Sequence, residues 1–197
     1  MDAYATVIRY HEATRHRVAA YARGPETLDW DAQPAPFRRY EGAPAQVLPL
    51  CAGHFEAPFA RLQRPVHGPA AHAGPRALGA LLQLSFALSA WKSNGVDRWA
   101  LRCNPSSGNL HPTEAYVVCG PLPSVAESPG VYHYAPDRHL LERRCAFDGE
   151  VWRAALGERQ DVLFVVLTSI HWREAWKYGE RAFRYCQHDL GHAIAAL

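Results

Sequence analysis

The chain has 197 residues, 48% of them hydrophobic and 20% charged, with a formal net charge of +2. That is enough for one ordinary domain with a real core, and it excludes a disordered chain. The near-neutral balance and the lack of a basic tract interleaved with aromatics argue against nucleic acid, and no apolar run is long enough to span a bilayer.

Residues 1–22 read as a first helix carrying His11, Arg15, His16 and Arg17. Residues 23–74 hold Pro25, Pro34, Pro36, Pro44, Pro49, Pro58, Pro65 and Pro69, a density that breaks helices and sheets. They read as an extended arm with one sticky point, Phe37–Gly42. Residues 75–92 start at Pro75 and are apolar on nearly every face, so a buried helix is expected, stopped by Ser93-Asn94-Gly95. A polar loop then leads into a strand over 114–119. Residues 131–142 read as a hairpin, with Val131–Tyr134 and His139–Glu142 as its arms. A short helix is expected near 150–156. The continuous apolar run 161–169 reads as a central strand buried on both faces. From Arg173 to Leu197 apolar residues recur at helical spacing, with Trp172 before the helix proper. Lys177, Arg181, Arg184 and His188 form the opposite stripe, and Glu180 stands four before Arg184 in a pairing position. The pattern ends in mid-stripe without a cap, which reads as a truncated chain or one half of a longer parent. The order predicts an α+β fold, a mostly antiparallel sheet flanked by helices. Two parts follow from it: 1–74, helix and arm, and 75–197, the main domain.

Five widely spaced cysteines, odd in number and without a CxxC, fit reduced and mostly buried thiols in a cytoplasmic protein; Cys103 is expected as a small buried apolar residue. The N-terminus has Asp2 and Arg9 but no apolar signal core. His188 and His192 are four apart, but Asp189 and Gly191 stand where HExxH would need other residues, and no metal is expected. No GxGxxG, Walker loop or GxSxG elbow occurs.

Two stretches carry candidate chemistry. The loop Asn104-Pro105-Ser106-Ser107-Gly108-Asn109, preceded by Arg102, is rich in residues that bring backbone groups close to a ligand. Gly108 and Asn109 tolerate positive φ, and the serine hydroxyls and the Asn109 amide donate and accept. An ordinary surface loop has the same composition. The second stretch is Trp172–Tyr185, where Lys177 and Tyr178 lie side by side with Arg181 and Arg184 following. Lysine and tyrosine become acid–base groups when burial or neighbours shift their proton affinity, although a solvated basic stripe reads alike.

NPSSGNLHPTEAYVV resembles the PS(A/S)GNxxP loop of the FMN-dependent nitroreductase superfamily. With GVYHYAPDRHLLE and WKYGERAFRY it resembles, more narrowly, the SagB/thiazoline-oxidase branch, whose members oxidise peptide azolines. The match covers roughly residues 75–197, and 1–70 looks like the N-terminal region of members with two nitroreductase-like halves. The resemblance implies a nitroreductase-like fold, incomplete at the C-terminus, that binds FMN without a covalent link. It implies a homodimer or fused pseudo-dimer, acting on a small-molecule or peptide substrate. Arg102, Pro105, Ser106, Ser107, Gly108 and Asn109 would line the flavin. Lys177 and Tyr178 would be the catalytic pair that abstracts a ring proton while hydride passes to flavin, turning azoline into azole. The family's arginine-rich segment before the first long helix is reduced here to Arg76 within Val66–Arg76, with Arg61 and Arg64 upstream. The chain also ends before the family's later flavin-contacting segment. These departures keep open a non-catalytic half-domain, acting as scaffold or as a peptide-binding module through the arm.

Overall fold

The computed structural model describes residues 2–54, 58–61 and 74–197. Arg64 and most of Val66–Arg76 lie outside these, as do Pro65 and Pro69. The chain divides into two compact units. One comprises residues 1–36, 104–114 and 168–195, and the other 37–103, 115–167 and 196–197.

The second unit holds most of the sheet, with the first two residues of β4 and the last two of β7 in the first unit. Its strands are β1 (Ala45–Val47), β4 (Thr113–Cys119), β5 (Gly130–Ala135), β6 (Leu140–Ala146) and β7 (Leu163–Ser169), in the order β1-β6-β5-β4-β7. The expected hairpin is β5–β6, antiparallel, with Tyr134 opposite Leu141 and His133 opposite Glu142. Tyr134, Leu141 and Val117 are fully buried, as are Leu78 and Leu82 of helix α2 (Pro75–Phe86), so strands and helix both contribute to this unit's core. A buried polar cluster accompanies it: His133 bonds Glu142 at 2.9 Å, Arg138 donates to the same carboxylate, and the Tyr40 and Tyr116 hydroxyls meet at 2.8 Å. The sticky segment Phe37–Gly42 is therefore ordered against the hairpin, with Arg39 also pairing to Asp137 at 2.5 Å.

Two expectations change here. The buried helix ends at Phe86, not near residue 92, and Leu88–Ser93 forms strand β2, antiparallel to β3 (Arg98–Arg102). Ala87 turns extended (ψ 173°) and its N–H caps Leu82. The pairing with β3, a contact the local pattern does not contain, claims the rest. β7 is not buried on both faces: it stands last in the described sheet, with Phe164 46% and Val166 42% exposed. An apolar run reads the same whether one face or two are covered.

The first unit is helical. Helix α1 (Ala3–Thr14) is N-capped by Asp2, whose carboxylate accepts from Tyr4 N–H. The C-terminal helical pattern is two helices: α4 (His171–Tyr178), which takes in Trp172, and α5 (Ala182–Ala196), joined by a 3₁₀ turn over Gly179–Arg181. Gly179 has φ +54° and closes α4 by donating to Ala175 O. Arg184, expected beside Glu180, donates instead to Thr14 Oγ1 and His11 O, fixing α1 to α5. Part of the proline-rich arm packs here too. Asp29 O accepts from Trp176 Nε1 at 2.7 Å, and Trp30 lies edge-on to that indole. Helix α3 (Gly149–Leu156) belongs to the sheet unit, and its N-cap is Asp148.

Candidate functional site

The loop before β4 is rigid. Ser107–Asn109 makes one 3₁₀ turn, and Gly108, Asn109 and His111 all have positive φ (60°, 61° and 51°). Such backbone is held only when the surroundings fix it, and they do. Asp189 of α5, 1% exposed, accepts from Ser106 Oγ at 2.5 Å, Ser107 N at 3.0 Å and Ser107 Oγ at 3.0 Å. Ser106 Oγ in turn accepts from His111 N at 2.8 Å, and Asn109 Oδ1 meets His111 Nε2 at 2.8 Å. The serine hydroxyls expected to face a ligand are thus committed to Asp189. What the loop presents is backbone and the bare Cα of Gly108.

Gly108 meets the second stretch. A Cβ added to it would stand 2.5 Å from Tyr178 Oη and 3.1 Å from both Cδ and Nζ of Lys177. The two motifs, about 70 residues apart in sequence, share one place within one compact unit. Lys177 and Tyr178 are half-buried. Among the described residues neither Nζ nor Oη has a hydrogen-bond partner, although Lys177 Nζ lies 5.9 Å from the Tyr178 ring centroid. Burial pushes the Tyr178 phenol up from its ordinary value, Glu174 and Tyr185 add to that, and Arg181 over the ring opposes it. Tyr185 packs edge-on to Tyr178 at 4.5 Å and accepts from Arg181 at 3.0 Å.

Two carboxyl groups lie behind the pair, and sequence reasoning missed both as site residues. Asp189 is one. The other is Glu174, 0% exposed, with both oxygens buried and without a hydrogen bond among the described residues. Burial, reinforced by the nearby Asp189 charge and opposed by Lys177, pushes its carboxyl up to about 8. Arg102 belongs to the sheet unit, at the end of β3, buried with its guanidinium over the Phe37 ring. Cys103 is exposed rather than buried, with its thiol 3.3 Å from Gln83 O. It lies just past the end of β3, exposed between buried Arg102 and Asn104. His188 and His192, on α5, are both exposed.

No protein-family model matches the chain. It is 31% identical over 104 residues to a candidate nitroreductase of Methanocaldococcus jannaschii, covering 49% of this chain and 50% of that protein. A solved candidate nitroreductase of Anabaena variabilis superposes with a TM-score of 0.69 and 28% identity over 96% of this chain and 37% of the other. The fold is nitroreductase-like. A Ralstonia eutropha structure described in the same terms, 18% identical, shares it with a TM-score of 0.52 over 82% of this chain and 78% of its own. The chain thus spans about half the length of the curated relative it matches and 37% of the Anabaena structure. Among the described residues no helix is long and apolar enough to cross a membrane.

Within this nitroreductase-like fold Gly108 is poorly able to take a side chain. Gly108→Ala combines a left-handed backbone with a Cβ that would have to push Lys177 and Tyr178 aside. The strain is expected to cost about 1–2 kcal/mol by chemical denaturation and to displace the two side chains. Unchanged stability, with unchanged reactivity of the Lys177 amine, would contradict that close approach.

Proposed function

We propose that the protein is an FMN-dependent oxidoreductase of the nitroreductase type, acting as a SagB-type dehydrogenase that oxidises azolines to azoles or performs a related two-electron oxidation. The observation that carries the reading is the meeting of Gly108 with Lys177 and Tyr178. A loop with no side chain at its apex faces an ammonium and a phenol that have no protein partner among the described residues. That arrangement suits a planar anionic cofactor. The donor set fits FMN: exposed loop backbone, one uncommitted cation and one phenolic hydroxyl. The proposed flavin-lining residues of this unit are Pro105, Ser106, Ser107, Gly108 and Asn109; for Arg102, in the other unit, the assignment rests on the resemblance alone. Of these, Ser106 and Ser107 act by shaping the loop through Asp189 rather than by their hydroxyls. FMN, when bound, supplies the two-electron chemistry. Lys177 and Tyr178 receive and return a substrate proton, which their position and uncommitted polar atoms permit. The resemblance also supports assembly as a homodimer or fused pseudo-dimer, and the five free cysteines fit a cytoplasmic setting.

The test is flavin uptake followed by turnover. Purified protein titrated with FMN should quench flavin fluorescence to a stoichiometric end point and release the flavin on denaturation. Lys177→Ala should bind FMN more weakly and, once loaded at saturating flavin, lose at least about a hundredfold in the rate of azoline-peptide oxidation, the scale of a lost general acid–base group. Protein that takes up no FMN would defeat the proposal in favour of a scaffold role.

A further inference from the structure

Glu174 and Asp189 are two carboxyls in one dry place, and they are treated differently. Asp189 accepts hydrogen bonds through both oxygens, as an ionised carboxylate does. Glu174 accepts none among the described residues and has no exposure to water. Two like charges this close and this buried cannot both persist cheaply, so a single proton goes to the group with fewer donors. Glu174 sits three and four residues before Lys177 and Tyr178 on α4, on the same face one turn back. The titratable groups around it are Lys177 and Tyr178 from α4 and Asp189 and Cys186 from α5.

We propose that Glu174 is a positioning residue for the Lys177–Tyr178 pair: a buried acid that carries its proton beside Asp189, and whose ionisation places a negative charge one helical turn behind the Lys177 amine. Ionised Glu174 adds a second negative charge beside Asp189. It then holds the Lys177 proton and opposes a Tyr178 phenolate. The transition falls as pH rises through about 8. The inference rests on reading Lys177 and Tyr178 as the proton-handling pair, but its electrostatics are measurable without flavin or substrate.

The sequence contains only two lysines, Lys92 and Lys177, and Lys92 is exposed. Brief acylation of the purified protein across a pH series, read peptide by peptide by mass spectrometry, therefore reports Lys177 with Lys92 as internal reference. In the unaltered protein the Lys177-to-Lys92 ratio should fall behind above about pH 8. In Glu174→Gln the lag should vanish and the ratio should rise about tenfold at the alkaline end. Superimposable profiles for the two proteins would overturn the inference while leaving FMN uptake untouched. Should Glu174→Gln fail to fold, the protonated-carboxyl infrared band of the unaltered protein decides. It should disappear as pH is raised through about 8, and its absence below that pH would overturn the inference. Failure to bind FMN beside a normal Lys177 lag would condemn only the functional reading.

Discussion

Arg173→Met is expected to lower stability by about 3–5 kcal/mol, the cost of breaking a buried ion pair from one side. Arg173 is buried, and its guanidinium serves three segments of one unit. Nη1 donates to Glu114 Oε1 at 2.5 Å and to His111 O at 2.6 Å, and Nε donates to Ala35 O at 3.1 Å. One side chain thus ties helix α4 to the start of β4, to the end of the loop and to the arm. Methionine keeps most of the volume, so the loss comes from the missing positive charge beside Glu114, 2% exposed, and from the lost bonds to two carbonyls. Arg173→Met with Glu114→Gln should recover at least half of the loss. Urea unfolding of the four proteins checks this, and a single variant within about 1 kcal/mol of the parent would contradict the role.

Much of this was legible in the chain, and the exceptions have physical causes. Pro75 marks the start of α2, and the alternation through Val131–Glu142 marks the hairpin, because these signals are local. The loop and the Lys177–Tyr178 stretch are both legible, but not their contact, which depends on how α4 packs against the loop. β2 was hidden because Leu88–Ser93 continues an apolar run, and only pairing with β3 makes it a strand. Glu174 and Asp189 were hidden for a different reason. A carboxylate on a helix is normally solvated, and its burial is a property of packing rather than of spacing.

Asp189→Asn should release the loop. Asp189 accepts three donors from Ser106 and Ser107, and each charge-assisted bond carries more than a neutral one. Asparagine offers one acceptor oxygen and presents an N–H₂ group to at least one existing donor, so a clash replaces a bond. The expected loss is about 2–4 kcal/mol of stability. FMN affinity should fall at least about tenfold, because Gly108 and Asn109 hold positive φ only while the turn is latched. The substitution also removes the negative charge that helps keep Glu174 protonated. Glu174 should then ionise at lower pH, and the alkaline lag in Lys177 acylation should begin earlier than in the parent. Equilibrium unfolding, FMN titration and the acylation series read these three consequences separately. A destabilised loop with an unmoved Lys177 profile would separate the latch from the charge, showing that Asp189 shapes the turn but does not tune Glu174.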